Sequence, residues 1–224
     1  MPRVRAAIFD AYGTLLDVNA ATQRHAGWIG PNWQAISTDW RRKQIEYTWV
    51  RTLAGPAQHR DFWRLTQDAL TWAAAKHGVA NAALLEDVLQ AYRRLNPYPE
   101  VSTVLRRVKE MGIARAVLSN GEPSMLADAV RHANLENLLD AVLSVESARV
   151  FKPEPRVYWL AVERFGAPAS EMAFISSNPW DAYGACCAGF QVFWINRDRL
   201  PNEYDLQARA TELPNLSGLP DHLA

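Results

Sequence analysis

With 224 residues and 49% apolar composition, the chain is long enough for one substantial domain plus an insertion, which excludes a disordered segment. Its 24 basic and 24 acidic residues cancel to a formal charge of zero, so no global positive field exists to hold a nucleic-acid backbone or an anionic membrane surface.

The N-terminus Met1-Pro2-Arg3-Val4-Arg5 is basic, but the apolar run that follows is too short for a signal-peptide core, and no later stretch approaches a membrane span. Residues 4–9 predict a buried strand that delivers Asp10 to its end, just before the turn at Tyr12-Gly13-Thr14. A carboxylate so placed can act as a nucleophile. Two residues on, where a second acid would protonate a leaving group, stands Tyr12. From about 16 to 96 the pattern is helical, with segments at 36–53, 62–77 and 84–95, and it predicts a helical cap inserted after the first strand. Six of the nine tryptophans fall here (Trp28, Trp33, Trp40, Trp49, Trp63, Trp72). Packing habit makes them mainly cap core, with some lining a pocket or a subunit interface. Pro97-Tyr98-Pro99 marks the return to the sheet domain.

Strands are then predicted at 114–118, 141–145, 173–175 and 192–195. They alternate with a helix at 102–111 stopped by Gly112, and with helices opened by Pro123, Pro155 and Pro179, the last ended by Gly189. Strand-helix alternation of this kind predicts an α/β fold, a doubly wound parallel sheet covered on both faces. The domain expectation is therefore a core of residues 1–15 and 97–224 with the cap at 16–96. Cys186 and Cys187 are adjacent, a poor geometry for a structural disulfide, which fits a reducing compartment and a cytoplasmic protein.

Ligands of open parallel sheets bind beyond the carboxyl ends of the strands. The residues there are Asp10, Ser119-Asn120 and Ser176-Ser177-Asn178, joined by Lys152 after Phe151 and by Asp181 at the start of the next helix. Each alone has an ordinary explanation. Asp10 could close an Asx-turn, Asn120-Gly121 is common turn punctuation, Asn178-Pro179 reads as a helix cap, and Lys152 could be a solvated loop lysine. Their joint occurrence at successive strand ends instead points to an anion-binding reaction centre.

These residues resemble the haloacid dehalogenase superfamily, specifically the L-2-haloacid dehalogenases. The resemblance is carried by residues 9–15, by Trp40-Arg41-Arg42-Lys43-Gln44 and Glu46-Tyr47-Thr48-Trp49, by Leu118-Ser119-Asn120-Gly121, by Lys152-Pro153 with Tyr158, and by Ser176-Ser177-Asn178 with Trp180-Asp181. Residues 201–224 contribute no motif. The resemblance implies a Rossmann-like core with a helical cap, a homodimer, and hydrolysis of short 2-haloalkanoic acids with inversion at carbon 2, without metal or other cofactor. It makes Asp10 the nucleophile and Thr14, Arg41, Ser119, Lys152, Tyr158, Ser176, Asn178 and Asp181 its supporting residues. Tyr12, Phe62, Asn120 and Trp180, with Arg41 and Ser119, would line the substrate and halide pocket. Arg42 departs from the pattern, where a neutral residue is familiar, and bears on the size or polarity of that pocket.

A phosphatase of the same superfamily is the competing reading, and a retired organic-acid binder is a third. A phosphatase would carry acids where Tyr12 and Ser177-Asn178 stand, although Asp10 and Asp181 could in principle still hold magnesium. A departing halide is already a stable anion and needs solvation, not a proton, so Tyr12 suits a carbon-halogen bond. Arg41 is the candidate cation for the halide and Asn120 a neutral donor. Lys152 would hold the attacking oxygen, with Thr14 and Tyr158 as supports of Asp10 and Lys152. Asp181 would act as the base for water, with Asn178 and Ser176 orienting it.

Overall fold

A computed structural model describes residues 3–223; Met1 and Pro2 of the basic N-terminal stretch, and residue 224, lie outside the described residues. Six strands run parallel in one sheet: β1 (Ala6–Phe9), β2 (Ala114–Ser119), β3 (Ala141–Ser144), β4 (Met172–Ser176), β5 (Gln191–Ile195) and β6 (Thr211–Leu213). Their spatial order is β3-β2-β1-β4-β5-β6. The chain therefore builds outward from β1 to one side, then crosses to β4 on the other. The crevice between β1 and β4 is the topological switch point where such sheets bind ligands. Both strands are buried along their whole length, as expected when helices cover both faces of a parallel sheet.

Between β1 and β2 come five helices, α1 (Ala20–Arg24), α2 (Ala26–Ile29), α3 (Trp33–Leu53), α4 (Phe62–Lys76) and α5 (Ala82–Tyr92). The strands that follow β1 are joined and flanked by α6 (Val101–Glu110), α7 (Pro123–His132), α8 (Pro155–Phe165), α9 (Pro179–Cys187) and α10 (Leu219–Leu223). Proline opens α7, α8 and α9, where its missing N–H costs nothing, and Gly166 closes α8 in the left-handed conformation (φ 58°). The neck of the helical insertion is narrow. Asp17 N donates to Asn96 O (3.0 Å) and Tyr98 N to Leu15 O (3.0 Å), while the Arg197 guanidinium lies 3.8 Å over the Tyr98 ring.

Two findings depart from expectation. Residues 201–223, which carry no motif, supply β6 and α10; three residues of strand are too few to show a periodic pattern. The insertion's tryptophans also share its core unevenly. Trp40 is buried, its indole N–H donating to Thr66 O (2.9 Å), whereas Trp28 is 83% exposed. Trp63 lies under Arg93 (4.8 Å) and Trp72 under Lys43 (4.5 Å) and Lys76 (5.5 Å). The buried face of α4 includes Phe62, Leu65, Ala69, Leu70 and Ala73. Trp63 and Trp72 pack against the core and also carry cations over their rings, whereas Trp49 lies edge-on to Trp180 (5.7 Å).

Candidate active site

Parallel register sets the first layer of the site. Phe9 pairs with Val117 on one side and Ile175 on the other, so the residues just beyond, Asp10, Ser119 and Ser176, share one edge of the sheet. Asp10 N donates to Ile175 O (2.9 Å), which carries the pairing one residue past β1. Gly13 then takes φ 92°, a left-handed conformation that turns the chain so that Leu15 and Leu16 can both bond back to Ala11 O. This tight turn brings Thr14 beneath the carboxylate.

Asp10 does not make the Asx-turn that its position allows. Its Oδ2 accepts from Thr14 Oγ1 (3.0 Å) and Asn178 Nδ2 (2.9 Å), and its Oδ1 from Lys152 Nζ (3.2 Å). Asn178 likewise makes no side-chain cap for α9. Its amide goes to Asp10, its Oδ1 accepts from Arg41 (3.3 Å), and its own backbone N–H is satisfied by Ser176 Oγ (3.1 Å). Thr14 Oγ1 in turn accepts from Ser177 N (2.8 Å), which leaves the hydroxyl proton directed at Asp10.

Lys152 is fully buried, and so is Asp181, to whose Oδ2 its ammonium donates at 2.9 Å. Burial pulls the lysine pKa down, but the carboxylates of Asp181 and Asp10 outweigh it and hold it above its ordinary value. Burial pushes the Asp181 carboxyl up, against the pull of Lys152. Sequence reasoning reads Tyr158 as a support of Lys152. The contact runs through Asp181: Tyr158 Oη donates to Asp181 Oδ1 (2.8 Å) and O (3.2 Å), and Asp181 Oδ2 accepts from Lys152. Burial, with Asp181 alongside, keeps this phenol well above its usual pKa and therefore neutral. The approach requires Gly184, because a Cβ there would fall on Tyr158 Oη and within 2.7 Å of Pro153.

From the insertion, Arg41 on α3 reaches the core, donating to Tyr12 O (3.2 Å) and Asn178 Oδ1 (3.3 Å). Arg42 points the other way, paired with Asp39 (2.9 Å) and Glu46 (3.7 Å) on the outer face. The departure at Arg42 therefore places no guanidinium beside Asp10. About 100° separates successive helical side chains, so the two arginines diverge. Asn120 Oδ1 accepts from Lys152 N (3.0 Å), which fixes the amide. Ser119 Oγ accepts from Gly121 N (3.1 Å), and Gly121 has no room for a Cβ, which would lie 3.0 Å from the Tyr12 ring.

Tyr12 packs against Phe62 (ring centroids 6.1 Å) and stacks on Tyr92 (5.3 Å). Its hydroxyl is buried without a partner, and burial raises its pKa well above the phenol value. Trp180 stands half-buried at one side, edge-on to Trp49 (5.7 Å), in a groove of about 450 Å³ that Phe151 and Tyr183 also line. Tyr92, Phe151 and the Ser177 amide are the members that sequence reasoning passed over. Tyr92 reads as one more apolar position on a helix face, Phe151 as an aromatic ahead of the lysine motif, and a backbone amide has no side-chain signal. Among the described residues no cluster of three or more His, Cys, Asp or Glu side chains is arranged to hold a metal.

A family model described as haloacid dehalogenase-like hydrolase matches residues 4–189. The (S)-2-haloacid dehalogenase 1 of Pseudomonas sp. (strain CBS-3) is 43% identical over 224 residues, covering 100% of this chain and 98% of the relative. The (S)-2-haloacid dehalogenase 4A of Burkholderia cepacia is 41% identical over 217 residues, 96% of this chain and 93% of the relative. Among solved structures, the L-2-haloacid dehalogenase of Xanthobacter autotrophicus with chloropropionic acid covalently bound superposes with a TM-score of 0.88 at 34% identity, over 97% of each chain. Matching along its whole length in sequence and in fold, the chain belongs to the haloacid dehalogenase-like hydrolases, and among them to the (S)-2-haloacid dehalogenases.

Proposed function

We propose that this chain hydrolyses short L-2-haloalkanoic acids to 2-hydroxy acids, inverting carbon 2, through an ester on Asp10. The observation that carries the reading is the set of donors around Asp10. An ammonium holds one oxygen, a hydroxyl and an amide hold the other, and a phenol and an amide, Tyr12 and Asn178, stand where a phosphatase would place further acids. Lys152 already supplies a cation to both Asp10 and Asp181.

In the first step Asp10 Oδ1, oriented by Lys152, attacks carbon 2 from the face opposite the halogen. The new C–O bond forms as the C–X bond breaks, and the halide leaves with the electron pair. No proton is needed. Arg41 and the Asn120 amide solvate the halide, with Tyr12, Phe62 and Trp180 as walls, while Ser119 and backbone amides near Asp10 hold the substrate carboxylate. In the second step water attacks Cγ of Asp10. Charge builds on Oδ2, where Thr14 and Asn178 already donate; Ser176 fixes Asn178, and Asp181, supported by Tyr158, takes the proton. The Cγ–Oδ1 bond then breaks, the departing oxygen taking the proton back from Asp181, so the hydroxyl oxygen of the product comes from Asp10 and the water oxygen stays in its carboxylate.

Residues 16–96 act as a cap over this chemistry, and the core comprises residues 1–15 and 97–224. The chain works in the cytoplasm as a homodimer, a reading supported by two free cysteines and by apolar residues exposed at the end of α3. Incubation with L-2-chloropropionate in the presence of a chelator releases chloride and D-lactate. A single turnover in heavy-oxygen water labels Asp10 before it labels product. Absence of chloride from any L-2-haloacid, together with magnesium-dependent hydrolysis of phosphate esters, would reverse the choice.

A further inference from the structure

Away from Arg41, the helical insertion is also tied to the core at residues that the chemistry above does not use. Glu146 follows β3, and its two carboxylate oxygens go to two places in the insertion. Oε2 accepts from His59 Nε2 (2.8 Å) and Oε1 accepts from the backbone N–H of Phe62 (3.4 Å). That N–H is the first of α4, whose Asp61 cap bonds instead to Arg64 N (2.8 Å). A carboxylate from outside the helix thus meets the positive end of the α4 dipole.

Both ends of this contact lead to the reaction centre. On the core side, Glu146 N donates to Ser144 Oγ (3.2 Å), and Ser144 Oγ donates to Gly121 O (2.7 Å), in the loop that carries Asn120. On the insertion side, the His59 ring stacks on Phe151 (5.0 Å), the residue before Lys152. Phe62 packs between Tyr12 (6.1 Å) and Phe151 (6.4 Å). His59 and Glu146 are both largely buried.

We infer that Glu146, with His59, is a positioning strap that sets where the Phe62 ring stands over Tyr12, and so the fit of the substrate's carbon-2 substituent. The inference rests on the dehalogenase reading for its substrate, but the strap itself is a property of α4. Glu146 touches no reacting atom, so its removal acts on binding, not on the chemical step.

In Glu146→Ala, KM for L-2-chloropropionate rises about tenfold, the scale on which a hydrophobic pocket discriminates a methylene, while kcat stays within about twofold. Glu146→Gln keeps an oxygen for the Phe62 amide and restores most of the loss. Phe62→Leu raises KM by itself, and combining it with Glu146→Ala adds little, because both act through one ring. Hydrogen exchange at the first amides of α4 accelerates in Glu146→Ala and not in Glu146→Gln. A cooperatively folded Glu146→Ala with unchanged KM, or effects that simply add to those of Phe62→Leu, overturns the positioning role. Unchanged exchange overturns the strap. Wild-type protein that releases no chloride overturns the dehalogenase reading and the positioning role with it, while accelerated exchange would still identify the strap.

Discussion

Both carboxylate oxygens of Asp181 are engaged, one by Lys152 and one by Tyr158, and Lys152 is shared with Asp10. One buried ammonium therefore faces two carboxylates, an arrangement in which losing the cation costs far more than the pair contributes when intact. The sign of the pH dependence follows. Because the folded-state lysine pKa lies above its ordinary value of 10.5, the stability it contributes is fully present below that value and is lost as pH rises beyond it. The neighbouring phenols of Tyr12 and Tyr158, raised by burial, also stay protonated past their ordinary value of 10.0. We predict that neither thermal stability nor kcat/KM shows a titration assignable to Lys152 between neutrality and pH 10.5. A lysine-dependent transition below that value in both profiles, absent in Lys152→Arg, would contradict this account of the ion triad.

At the scale of elements, α3 and α4 are held side by side by a polar knot as well as by their seam. Asp39 on α3 accepts from Lys76 (2.6 Å) and His77 (2.8 Å) at the end of α4, and from Arg42 (2.9 Å) on its own helix. Those bonds, Lys76 first, hold its carboxyl far below the ordinary value of 3.8. A depressed carboxylate contributes stability that is present above its unfolded pKa and is lost as pH falls through the range below. Asp39→Asn therefore melts below wild type at pH 7, and the gap closes as pH falls below about 4. A gap that is constant with pH would assign the loss to packing.

The same helices show what was legible beforehand and what was not. Their extents are legible to within a few residues from helical pattern, α4 at Phe62–Lys76 and α3 from Trp33, three residues before its expected start, and the strand-end positions of Asp10, Ser119 and Ser176 follow from short apolar runs. Partner choice was not readable. A motif match can name Tyr158 as a support of Lys152, but not that its hydroxyl acts through Asp181 in a space that Gly184 leaves open. Nor does the pattern show that Trp63 and Trp72, packed against the core, also take cations over their rings. Strand β6 pairs over three residues, and only its place beside β5 makes it a strand.

The whole molecule carries a feature that its own fold leaves unsatisfied. Leu53 is 88% exposed and Val50 57%, within one turn at the end of α3. Beside them lies the apolar groove lined by Trp49, Trp180, Tyr183 and Tyr204. Single exposed apolar residues are ordinary on any surface; apolar residues gathered beside a groove are where we propose that a second copy docks. Trp180 joins this groove to the proposed halide pocket, so a second copy docked there would also close one flank of the site to water. We predict that wild-type protein sediments at twice the chain mass at micromolar concentration. Val50→Lys with Leu53→Glu should sediment at the chain mass, with far-UV circular dichroism unchanged. Because the dissociated chain leaves the Trp180 flank open, chloride release per chain should fall in the double variant while wild-type activity stays independent of dilution down to the dissociation range. A wild-type monomer, or a monomeric variant with full activity, would separate the exposed patch from the chemistry.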